Sequence, residues 1–97
     1  MYETKTIFED DDCKVSLEEL EGKLFVHVKL FRATRPVLDK LQEIWAAIRD
    51  KCYWLGYEAI YTYTKEPRMV KFFPGSEFLG GYDYKGEKYG VYQWALN

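Results

Sequence analysis

Residues 34–56 read TRPVLDKLQEIWAAIRDKCYWLG. Val37, Leu38, Leu41, Ile44, Trp45, Ile48, Cys52 and Leu55 recur at spacings of three and four, which aligns them on one stripe of a helix that must be buried. Both ends carry signals. Thr34 can accept a backbone N–H as N-cap, Pro36 suits a first turn where its missing donor costs nothing, and Gly56 supplies a left-handed C-cap. Burying each large side chain of the stripe against a sheet contributes about 1.5–3 kcal/mol, so this helix is expected to organise the fold.

Upstream, Cys13, Val15 and Leu17 alternate with polar residues, and the alternation resumes after Glu21-Gly22 in Leu24, Val26, Val28 and Leu30. This pattern predicts a hairpin. Phe25, His27 and Phe31 take the opposite face of its second strand, so both faces are expected to be covered, as in a central strand. Downstream, Tyr57 to Thr64 is aromatic and β-branched and predicts a strand, parallel to the one before the helix with a right-handed crossover. Glu66 to Phe73 predicts a short helix opened by Pro67 and closed by Pro74-Gly75. Phe78 to Tyr84 and Lys88 to Leu96 predict a closing hairpin about Lys85-Gly86, with Tyr82 and Tyr84 facing Tyr89, Val91 and Trp94. Gly80-Gly81 marks a bulge or bend in its first strand.

The expected fold class is α+β: one domain over residues 1–97 in the order β-β-α-β-α-β-β, a central mixed sheet packed by one long and one short helix. Residues 1–12 are read as an acidic N-terminal segment ahead of the first strand.

A chain of 97 residues has room for one core and no second. Aromatic residues make up 19% of it, nine of them Tyr, which reads either as a small core filled with large rings or as a surface awaiting a partner. The net charge of −2 offers no positive field to gather phosphates, so nucleic-acid binding is not expected. Acidity concentrates in Glu9, Asp10, Asp11 and Asp12, with Glu18, Glu19 and Glu21 close behind. A solvated loop is one reading; contact with a basic partner or a cation is the other.

No apolar run approaches the roughly 18 residues needed to span a bilayer, so no membrane partner is expected, and Met1 to Asp12 is too polar for a signal peptide. The cytoplasm is the expected compartment. Cys13 and Cys52 form no C-x-x-C pair and, with the single His27, are too few for zinc; both are expected to be reduced and buried. His27 reads as a structural histidine on a strand face. No Gly-rich phosphate loop, H-E-x-x-H or EF-hand spacing occurs, and no metal is expected.

The long amphipathic helix between two strands, followed by a short helix and a closing hairpin, resembles the carboxy-terminal two-thirds of a GNAT-superfamily N-acetyltransferase. The likeness covers about Val15 to Leu96. It is clearest in Arg68-x-x-Lys71-Phe72-Phe73-Pro74-Gly75-Ser76-Glu77-Phe78 and the Tyr-rich hairpin after it, which echo the family's short helix and last strands. The family seats the coenzyme's diphosphate in a loop of pattern Gln/Arg-x-x-Gly-x-Gly/Ala, where backbone N–H groups close around it at the start of the long helix. Here that place reads Arg32-Ala33-Thr34-Arg35-Pro36, with no glycine and with Pro36 removing a donor. The resemblance implies that any bound acetyl-CoA would meet Arg32, Thr34 and Arg35.

The family also parts its central strand from the next one to hold the pantetheine arm, and often places a Tyr general acid four residues before the short helix's glycine. Counting back from Gly75 gives Lys71, so that acid is missing. Tyr61 and Tyr63 on the neighbouring strand are left either to approach a cleft or to pack. The resemblance thus implies a catalytically degenerate GNAT-like domain, with no catalytic residue and no cofactor, of the reduced kind found among bacteriophage proteins. Its expected work is protein binding, as a virion component or an inhibitor of a host system in the bacterial cytoplasm. A protein partner or self-association is expected at Tyr82, Tyr84, Tyr89 and Tyr92. The alternative is a minimal acetyl-CoA-dependent N-acetyltransferase that modifies a protein.

Overall fold

The computed structural model describes residues 3–96; the first two residues and the last of the expected 1–97 domain lie outside the described residues. The elements are β1 (Glu3–Glu9), β2 (Cys13–Leu20), β3 (Lys23–Leu30), α1 (Arg35–Trp54), β4 (Ala59–Thr64), α2 (Pro67–Val70), β5 (Glu77–Tyr84) and β6 (Glu87–Ala95). The strands form one mixed sheet in the order β1-β2-β3-β4-β6-β5, with β3 and β4 parallel and the other neighbours antiparallel.

The first strand corrects the reading of residues 1–12 as a segment ahead of the sheet. Thr4, Thr6, Ile7 and Phe8 are strand formers, and the charges of Lys5 and Glu9 among them are what an exposed edge carries to discourage further pairing. β1 pairs Thr6 with Ser16 and Phe8 with Val15 across a bulge. β2 therefore becomes an interior strand, and Ser16 and Glu18 are buried on it. Asp10 is also more than a solvated loop residue. Its Oδ1 accepts the Asp12 and Cys13 backbone N–H groups at 2.8 and 3.0 Å, while Lys40 Nζ from α1 donates to its Oδ2. That ammonium, ahead of the two backbone donors, holds the Asp10 carboxyl down at about 2.

Both tight hairpins turn on a pair with positive φ. Glu21 (53°) precedes Gly22 (78°), and Lys85 (50°) precedes Gly86 (80°), which is the backbone that type I′ turns demand. The stripe of α1 is buried at Val37, Leu41, Trp45, Ile48 and Cys52, packed in one core with Val15, Val26, Ile60 and Trp94. The helix ends in paired bonds, Gly56 N–H to Tyr53 O and Tyr57 N–H to Cys52 O, each 3.1 Å, with Gly56 at φ +93°. Leu55 is therefore past the last turn and, against the stripe reading, 65% exposed beside Trp54 at 77%. Thr34 is the N-cap, but its hydroxyl makes no capping hydrogen bond. α2 is a single turn that continues to Phe73 only through i→i+3 bonds, because Phe73 swings into the core and Trp94 Nε1 donates to its carbonyl at 2.7 Å.

Both helices bury their apolar residues on the sheet face that carries Val15, Val26, Ile60 and Trp94. No helix among the described residues covers the opposite face. Phe25 is buried there, but by its own sheet: the rings of Tyr61 and Tyr63 lie 5.5 and 5.7 Å from it. Phe31 lies beyond the strand and is exposed. The thiols of Cys13 and Cys52 are free and buried, and burial pushes both up. Among the described residues no helix is long and apolar enough to cross a membrane.

Candidate functional site

Three places merit attention, and the first is the turn into α1. Arg32, Thr34 and Arg35 are all exposed there. Arg32 Nε lies 3.7 Å from Asp12 Oδ1, and Arg35 Nε lies 3.5 Å from Asp39 Oδ1. Both guanidinium groups face carboxylates of this chain. With Asp10 held nearby by Lys40, the turn presents three carboxylates where a diphosphate would have to sit. Pro36 in the first helical turn removes an amide donor from the same spot.

The second place is the parting of β3 from β4. Their ladder holds only Leu24 with Ile60 and Phe25 with Tyr61. At the next position the Val26 carbonyl accepts the Thr62 hydroxyl at 2.6 Å, a side chain standing in for a backbone donor. Beyond that bond the strands enclose a cavity of about 90 Å³ that reaches Trp45, Phe73 and Trp94 on the helix side and His27 and Tyr63 at the other. The Trp45 indole N–H is buried and meets no acceptor among the described residues.

The third place is the uncovered sheet face. Glu18 on β2 is 8% exposed, and its Oε1 receives the Tyr63 hydroxyl and His27 Nε2, each at 3.0 Å. Because a carboxylate only accepts, His27 carries a proton on Nε2 in this bond. The His27 and Tyr63 rings meet edge to face at 4.6 Å. Burial, and after it the bond to Glu18, pushes the Tyr63 hydroxyl up to about 12, so it remains a donor through the neutral range.

From Tyr63 the rings continue across the sheet. Tyr89 on β6 lies 6.2 Å from Tyr63, and Tyr82 on β5 stacks on Tyr89 at 5.4 Å with 15° between the planes. Tyr84 lies 6.4 Å from Tyr89. The result is a row of rings over β3, β4, β6 and β5, ending in side chains that are 42% (Tyr82) and 55% (Tyr84) exposed.

The structure thus brings Tyr82, Tyr84 and Tyr89 together and separates Tyr92 from them. Tyr82 pairs with Tyr89, whereas Tyr92 pairs with Phe78 and packs on its ring at 5.3 Å, on the helix-bearing face with Trp94. The irregularity in β5 falls at Leu79, between Phe78 and Gly80 and one residue ahead of the expected Gly80-Gly81, with Gly80 at φ +154°. Gly90 leaves the space that the Tyr92 and Phe78 rings use: a Cβ there would meet them at 3.0 and 3.3 Å.

Glu18 is the residue that sequence reasoning passed over, because it was grouped with the exposed acids around it. Its signal was parity: it shares the even-numbered face of β2 with Ser16, and that face is interior once β1 is in place. Among the described residues no three of His, Cys, Asp and Glu gather as a metal set. No protein-family model, curated protein or solved structure matches the chain.

Proposed function

We propose that the chain is a GNAT-like domain without cofactor chemistry that works by binding a protein through the uncovered face of its sheet. One observation carries the reading: Tyr63, Tyr89, Tyr82 and Tyr84 form a continuous row of rings that ends exposed on a face over which no helix of the described residues lies. Tyrosine brings large, amphipathic contact area at low entropy cost, which is why interfaces concentrate it. A virion component or an inhibitor of a host system is the setting this suits.

The turn at Arg32 to Pro36 supports the loss of chemistry. A diphosphate there would face Asp10, Asp12 and Asp39 and would have to displace them from Lys40, Arg32 and Arg35. The coenzyme's charged end does not fit these residues. Its arm is a different matter, and the parting of β3 and β4 favours the second reading, a minimal N-acetyltransferase. The parted strands line a cavity of about 90 Å³ whose wall includes Trp45, and the Trp45 N–H is buried without an acceptor among the described residues.

Two measurements decide between them. Self-association by sedimentation, and capture of a partner from host lysate, should be lost in Tyr82→Ala and Tyr84→Ala and kept in Tyr92→Ala, which alters the other face. Equal behaviour of all three variants would remove the proposal. Acetyl-CoA should leave the melting temperature unmoved, whereas saturation at 100 times Kd would add about 2.7 kcal/mol under the second reading.

A further inference from the structure

The row of tyrosines converges on a negative charge. Glu18 Oε1 is occupied by His27 and Tyr63, which leaves Oε2 without either bond, at the end of a row whose ring faces are themselves electronegative. We infer that Glu18, Tyr63, Tyr89 and Tyr82 form a docking site for an arginine side chain of a protein partner. The inference rests on the protein-binding reading of this face and specifies what the partner must present.

Charge complementarity carries it. The chain's own cations already settle on rings of this half of the molecule: Lys23 Nζ lies 5.5 Å from the centre of Tyr61, and Lys85 Nζ lies 5.3 Å from that of Tyr84. Lys29, the other cation on β3's open face, is turned to Phe31 at 5.9 Å. The Glu18 charge is felt along the row as well. Burial first, then Tyr89, Tyr84 and Glu18, push the Tyr82 hydroxyl up. The preference for arginine follows from shape. Tyr63, whose hydroxyl meets Oε1, stands beside the carboxylate at the inner end of the row, and a planar guanidinium can lie flat on a ring of the row while its edge donates to the carboxylate; an ammonium has no flat face to lay on a ring.

The test titrates a blocked Gly-Arg-Gly peptide into isotope-labelled protein, beside the same peptide carrying citrulline or lysine. The arginine peptide is expected to shift the ring signals of Tyr63, Tyr82 and Tyr89. Citrulline, which keeps the shape and loses the charge, should bind at least about tenfold more weakly. Glu18→Gln should erase that difference. Since Glu18 is buried, Tyr82→Leu serves as a second variant: it keeps apolar bulk at an exposed position, removes the ring, and should also weaken the arginine peptide. Equal binding of arginine and citrulline peptides, shifts on another face, or no shifts overturn the inference, and a lysine peptide that matches arginine overturns the choice of guanidinium. If it falls while Tyr84→Ala still abolishes self-association or capture, the broader protein-binding reading survives alone. If Tyr84→Ala changes neither, both are lost.

Discussion

Tyr63 on β4 reaches across β3 to place its hydroxyl 3.0 Å from the Glu18 carboxylate on β2. The bond ties together the two sides of the sheet at the point where the backbone ladder between β3 and β4 has stopped. Tyr63→Phe should cost about 1–2 kcal/mol, because it leaves a buried carboxylate with His27 as its remaining partner. Urea unfolding of the two proteins measures this. A loss below a few tenths of a kcal/mol would mean that the bond is idle.

The same hydroxyl gives a signature in alkali. Its folded value is raised to about 12 from an ordinary value near 10, so the unfolded chain releases the proton first. Stability from this group is complete below about 10 and declines as the pH climbs toward about 12. An ultraviolet titration should show one tyrosine ionising after the others, and Tyr63→Phe should remove that last step.

At the acid end the sign reverses. Asp10 is held at about 2 by Lys40 and two backbone donors, so its contribution is present above the ordinary carboxylate value near 4 and fades as the pH falls through about 2. Asp10→Asn keeps an acceptor for the Asp12 and Cys13 amides but not the ion pair. Its melting temperature should fall slightly at neutral pH and converge with the parent's in acid. Lys40→Met should behave alike.

Two tryptophans separate core from surface. Trp45→Ala should cost about 3–5 kcal/mol, since the ring packs on Trp94 and Phe73 at 4.8 and 5.3 Å. Trp54→Ala should change stability by less than about 0.5 kcal/mol, because that side chain stands 77% exposed. Thermal or denaturant unfolding reads both, and a costly Trp54 would mean that α1 packs differently at its end.

Thr62→Val tests the side chain that replaces a ladder bond. Removing the hydroxyl strands the Val26 carbonyl at the edge of the cavity and should cost about 1–3 kcal/mol. A neutral result would show that the carbonyl finds another partner.

Most of the architecture was legible because it rests on strong local signals. The α1 stripe, the left-handed Gly56, and the turn pairs Glu21-Gly22 and Lys85-Gly86 each act through neighbours a few residues away. What escaped depends on distant partners. β1 hides its strand formers among charges, and only pairing with β2 reveals them. Tyr92 shares a composition with Tyr82, Tyr84 and Tyr89 but not a face, and one bulged residue at Leu79 decides how β5 lines up against it. Glu18 looked like one more surface acid until β1 enclosed its strand.

The sheet is built as two three-stranded antiparallel blocks, β1-β2-β3 and β4-β6-β5, zipped by two residue pairs. Each block closes its own backbone bonds, so widening the seam costs neither of them. Amide exchange should accordingly begin around Thr62 and the end of β3 while the hairpin interiors stay protected.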